Sequence, residues 1–145
     1  MTELTNLERT RIQMEYVVPL IKDLQELLGE EVINAALEQR AQNQEDSISS
    51  NKKPDFSRMM QGTKMFAAGD ALDYEIIASS NDQFDMNVNH CRYADMMEEL
   101  GGREFGHLLV CRGDFAAAKR IGMTLTRTQT RMQGAPFCDF RYRPA

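Results

Sequence analysis

The sequence predicts an α+β fold: N-terminal helices followed by a β-β-α-α-β-β unit, with a small antiparallel sheet packed by helices. Two observations predict it. Up to about residue 69, apolar residues recur at spacings of three and four, the period of a helix. Beyond that point they alternate with polar residues, the period of a strand, and short polar turns separate the runs. The reading is one domain over residues 1–145, with a helical part at 1–69 and a sheet-containing part at 70–145.

Met14, Val17, Ile21, Leu24 and Leu28 define the face of a first helix, which Gly29 ends. Pro19 lies inside this pattern and is expected to kink or divide it, because it removes a donor and crowds the preceding turn. A second helix is expected from Glu30 to Gln42, with Val32, Ala36, Leu37 and Arg40 setting its face. Gln44 to Pro54 is polar and reads as an exposed loop. A third helix follows from an Asp55 cap to Ala68.

Leu72, Tyr74, Ile76 and Ala78 then alternate with polar residues, imperfectly only at Ile77. Asn81-Asp82 is a turn, and Phe84, Met86, Val88 and His90 alternate with Asp85, Asn87, Asn89 and Cys91, which completes a hairpin. Strand parity sets Asn87, Asn89 and Cys91 apart from the side of Phe84 to His90, and places His90 in the core. Tyr93 to Leu100 is a short helix closed by Gly101-Gly102, and Arg103 to Ile121 a longer one. Met123 and Leu125 open a strand whose other face is a threonine ladder at 124, 126, 128 and 130, and Phe137 to Tyr142 is the last strand.

The totals exclude several function classes. A net charge of -5 and a pI near 5.1 do not suit nucleic acid, whose phosphates demand a basic face. No apolar run approaches the roughly 20 residues a bilayer requires, so no membrane partner is expected. Three cysteines, an odd number, and no apolar N-terminal leader read as reduced thiols in a cytoplasmic protein. Ten methionines and no tryptophan make an adaptable interior, whether to fill gaps or to surround a ligand.

The chemistry-bearing residues gather in the second half. Cys91 stands at a strand-to-helix junction, where helix amides are expected to lower a thiol pKa. Cys111 and Asp114 share one helix face, and Cys138 and Asp139 point to opposite faces of the last strand. A polar sheet face carrying Asn87 and Asn89 beneath that helix would make a small pocket. Each thiol, taken alone, serves equally as a small buried hydrophobe. A mid-helix Asp is harder to explain by packing.

Four segments, F-D-M-N-V-N-H-C-R-Y (84–93), C-R-G-D (111–114), T-R-T-Q-T (126–130) and G-A-P-F-C-D-F-R-Y (134–142), resemble the L-2-amino-thiazoline-4-carboxylic acid hydrolase family. The resemblance covers the chain from Phe84 onward, and the N-terminal helices only in pattern. It implies hydrolytic opening of a cyclic amidine or thiazoline-type ring to a carbamoyl-cysteine type product, with a small-molecule substrate and no cofactor. On this reading Cys91, Cys111, Asp114 and Cys138 are the catalytic candidates, and Asn87, Asn89, Thr128, Arg127 and Asp139 the substrate-binding ones. Either a thiolate of Cys91 or Cys111 attacks, or Asp114 activates water. Thiolate attack is slightly preferred here, and Arg127 or Arg141 would meet a substrate carboxylate.

An alternative is that Cys91, Cys111, Asp114 and Cys138 hold a structural zinc. The helix C-x-x-D and later G-x-x-x-C resemble small-molecule sensor domains of the vinyl-reductase type, although no CxxC pair is present. Self-association into a homo-oligomer is expected through the Met14–Leu28 face, which could equally serve the core.

Overall fold

The computed structural model describes residues 3–49 and 51–145. Its order is α1 (Asn6–Leu28), α2 (Glu30–Asp46), α3 (Phe56–Ala67), β1 (Leu72–Ser80), β2 (Gln83–Cys91), α4 (Arg92–Glu99), α5 (Arg103–Gly106), α6 (Gly113–Arg120), β3 (Met123–Thr126) and β4 (Cys138–Pro144). One π-helical turn, His107–Cys111, joins α5 to α6. The four strands form one antiparallel sheet in the order β1-β2-β4-β3. This is the α+β architecture that the change of period predicts.

Thr5 and Glu8 start α1 with a reciprocal capping box, each side chain taking the other residue's amide. Gly29 ends it at φ 98°, a value that costs glycine little and other residues more. Pro19 does not divide α1, which continues through it. Pro19 is exposed, so the carbonyl that loses its helical partner can turn to water instead. The buried side chains of α1 are Met14, Val18 and Ile21, while Leu28 is exposed. In α2 the inward residues are Ile33 and Leu37; Val32, Ala36 and Arg40 face out, so the expected face is rotated by one residue. Polar residues hide this face from a periodicity argument, because Ile33 is the one buried residue of α2.

Asp55 caps α3 by accepting the Arg58 amide, and the loop before it runs against the end of α6. There Gly122 adopts φ +75°, and a Cβ would come within 2.6 Å of the Lys52 and Lys53 backbone. Only glycine fits a crossing this close.

The core has two lobes, and Leu72 and Cys91 touch both. One lobe joins α1, α2, α4 and α5 around Val18, Tyr93, Met97 and Phe105. The other covers the inner sheet face, with Phe84, Met86, Val88, Met123, Leu125 and Tyr142 beneath α3 and α6.

Two β-bulges re-aim the hairpin. One lies at Ile77, the position where the alternation falters, since Ile76 pairs with Met86 and Ala78 with Asp85. The other lies at Asn89: Tyr74 pairs with Val88, but the preceding Asp73 pairs with His90. The extra residue reverses parity. Cys91 therefore joins the side of Met86 and Val88, and His90 is exposed, where its Nε2 lies 2.8 Å from Asp95. Both the core placement of His90 and the separation of Cys91 from the apolar side are thus corrected. The threonine ladder is also shorter than expected. β3 ends at Thr126, and Thr130 is buried in a turn, bonded to Gln133.

Candidate functional site

A cavity of about 470 Å³ opens between α3, the inner sheet face and the helix that carries the π turn. Met59, Thr63 and Phe66 of α3 form one wall. Met86, Val88, Cys138, Phe140 and Tyr142 form the sheet wall, and Val110, Cys111, Asp114 and Ala118 close the third. The lining is mostly apolar, with charge confined to Asp114, Arg127, Arg58 and Arg120; the last two are exposed. Volume and lining suit a small ring compound held by shape, with few polar contacts.

The polar centre is an ion pair. Arg127 Nη1 donates to Asp114 Oδ2 at 2.6 Å, and Arg127 Nη2 donates to the Cys111 carbonyl at 2.9 Å. Its guanidinium lies 5.2 Å from the Phe115 ring centroid and 5.0 Å from that of Phe140, a cation between two π faces. The Arg127 side chain is 6% exposed and that of Asp114 22%. Burial pushes the Asp114 carboxyl above its ordinary pKa, and the guanidinium limits that rise.

The three thiols line the same cavity. Burial raises the Cys91 pKa to about 11, outweighing the amides of Ala94 and Tyr93 at the start of α4. The expected lowering at the helix N-terminus is therefore reversed: loss of solvent acts on the whole charge, the amides on part of it. Cys111 is raised further, by burial and then by the Asp114 charge, and Cys138 is raised by burial although its sulfur accepts the Arg131 amide.

The cavity thus brings together Cys91, Cys111, Asp114, Arg127 and Cys138. It leaves out Asn87, Asn89, Thr128 and Asp139. Asn89 is exposed and bonded to Glu75, while Asp139 accepts the Thr128 hydroxyl and the amides of Thr128 and Gln129. Arg141 spends its guanidinium on the carbonyls of Met86 and Phe140. Among the described residues, no three His, Cys, Asp or Glu side chains are grouped so as to hold a metal ion. None of the described helices is long and apolar enough to cross a membrane.

Sequence reasoning missed α3 as a wall, Tyr142 at the floor, and the arginines at the mouth. Tyr142 carried a signal, since its spacing of four from Cys138 puts it on the cysteine's side of β4. The α3 wall carried none, because its apolar residues read equally as ordinary core.

A family model described as L-2-amino-thiazoline-4-carboxylic acid hydrolase matches residues 9–142, extending the resemblance through the N-terminal helices. No curated protein matches the chain. Among solved structures, the chain is similar to the phenol-responsive sensory domain of the transcription activator PoxR, crystallised with phenol. The TM-score is 0.50 at 12% sequence identity, over 90% of this chain and 74% of that one. That likeness is one of fold.

Proposed function

The chain belongs to the L-2-amino-thiazoline-4-carboxylic acid hydrolase family, and from this premise we propose that the cavity binds a small cyclic amidine or thiazoline-type ring and opens it with water. The observation that carries the reading is the Asp114–Arg127 pair, set into an otherwise apolar wall. Arg127 engages Oδ2 of Asp114 and leaves Oδ1 as the oxygen to polarise a water. That water attacks the sp² carbon and gives its proton to Asp114; the carboxyl, its pKa raised by burial, returns the proton to the ring atom that departs. Arg127 balances the charge that develops. The water oxygen becomes the carbamoyl oxygen of the single ring-opened product, and both of its hydrogens end on the former ring heteroatoms of that same molecule.

Thiol chemistry weighs less in this reading. A Cys91 pKa of about 11 leaves about one part in ten thousand as thiolate at pH 7, and Cys111 less. The thiols then serve as soft wall for a sulfur-containing ring. A substrate carboxylate would meet Arg58 or Arg120 at the mouth, because Arg127 is already engaged.

The fold likeness to a phenol-responsive domain, with the apolar lining, favours a second reading in which the cavity binds an uncharged ring without turning it over. Incubating the purified chain with aminothiazoline carboxylate and assaying for a carbamoyl-cysteine product separates the two. Turnover that Asp114→Asn abolishes supports hydrolysis. Saturable phenol binding with no turnover would replace it with the binding module.

A further inference from the structure

Helix α1 carries two apolar faces, and only one of them is used by the core. Opposite Met14, Val18 and Ile21 runs a second stripe, Ile12, Tyr16, Leu20 and Leu27, which is 57%, 75%, 43% and 77% exposed. Isolated exposed apolar residues are ordinary; four on one side of one helix are not. Arg9 and Asp23 lie on the same stripe, both exposed. Among the described residues neither takes part in an ion pair, and the Arg9 guanidinium makes one hydrogen bond, to the Leu4 carbonyl.

Their placement is symmetric. Arg9 and Asp23 each stand seven residues from Tyr16, about 10 Å along the axis in either direction. Ile12 and Leu20 each stand four residues from it. A two-fold axis through Tyr16, perpendicular to the helix, therefore sets Arg9 against Asp23 of a second copy, Ile12 against its Leu20, and Tyr16 against itself. The charges at the two ends are opposite, as an isologous contact needs; a parallel pairing would instead oppose like charges. We propose that this stripe is the contact between two copies of the chain, α1 against α1, antiparallel about Tyr16. The two tyrosine rings meet at the axis, and each copy supplies one end of two equivalent ion pairs.

The test is sedimentation equilibrium of the full chain across a concentration series. The expected species has twice the 16.6 kDa chain mass. Arg9→Asp and Asp23→Arg are each expected to weaken the dimer about tenfold, since each sets like charges together twice. The double variant restores both contacts with reversed sign and is expected to recover wild-type affinity within about threefold. Tyr16→Arg is expected to abolish it. All three positions are exposed, and unchanged thermal melts at low concentration would show that the fold is intact. A wild-type chain that stays monomeric at every concentration overturns the proposal. So does a dimer indifferent to Tyr16→Arg, or one that the double variant does not rescue.

Discussion

Two arginine–carboxylate pairs hold opposite faces of the same sheet. Arg127–Asp114 lies on the cavity side, with side chains 6% and 22% exposed. Arg143–Asp85 lies on the outer side, with Arg143 at 47% and Asp85 at 10%. The chemistry of the partners is identical and their effect is not. The hydrogen bond from Arg143 holds the Asp85 carboxyl below its ordinary pKa, and burial is secondary. At Asp114 burial dominates and the carboxyl is pushed up. An ion pair with one end in water acts as a fastening. The same pair in an apolar wall becomes a group able to pass a proton.

The largest test of that contrast is truncation. Asp114→Ala leaves a guanidinium buried and without its partner, an expected cost of about 3–5 kcal/mol in urea unfolding. Turnover is expected to fall about 10²- to 10⁴-fold with it. Asp85→Ala, the same deletion outside, is expected to leave turnover unchanged and to cost clearly less stability. Equal losses at the two sites would break the comparison.

The pH dependence of stability sharpens it, because the two carboxyls pull in opposite directions. Asp85, depressed in the folded state, contributes stability present above the ordinary carboxyl pKa and lost as pH falls through its lower folded value. Asp114, raised, favours the protonated folded state, and that contribution is lost as pH climbs from the ordinary carboxyl value through the folded one. The slope of stability against pH should therefore differ from wild type below pH ~4 in Asp85→Asn and above it in Asp114→Asn. A third measurement reads the cavity through its thiols. Alkylation of Cys91 should be slow at neutral pH, gain about tenfold per pH unit, and level off near pH 11. A rate already at its plateau near pH 8 would show that burial does not govern the site. The smallest effect is expected from Thr128→Ala, outside the cavity. It removes one of three hydrogen bonds to Asp139, costs about 0.5–1.5 kcal/mol in thermal unfolding, and leaves turnover intact.

Periodicity made the sheet half legible, down to the bulge at Ile77, where the residue pattern itself stumbles. It failed at Asn89, because Phe84 to Cys91 alternates in residue type without a break while the backbone inserts an extra residue. That one bulge decides whether Cys91 faces the cavity. Five residues of the candidate site were legible one by one, since Cys91, Cys111, Asp114, Cys138 and Arg127 all line the cavity, whereas Asn87, Asn89, Thr128 and Asp139 do not. Their relations were not. Asp114 and Arg127 are thirteen residues apart on different elements, and only the packed fold brings them to 2.6 Å. The thiol pKa values depend on burial, which a short motif does not encode. Nor did the helix pattern warn that α1 would keep an outer apolar face beside its inner one.

The π-helical turn at His107–Cys111 makes the cavity a matter of counting. Its wider winding sets the angle at which the chain enters α6, and so the direction in which Asp114 leaves the backbone. The π turn holds one residue more than the α turn it replaces, so removing one residue there would let ordinary α winding resume with all that follows close to its present direction. The carboxylate of Asp114 would still face the cavity. For this chain the turn is a place that absorbs a change of length by one, and a relative one residue shorter here would keep both the family's spelling and the direction of its carboxylate.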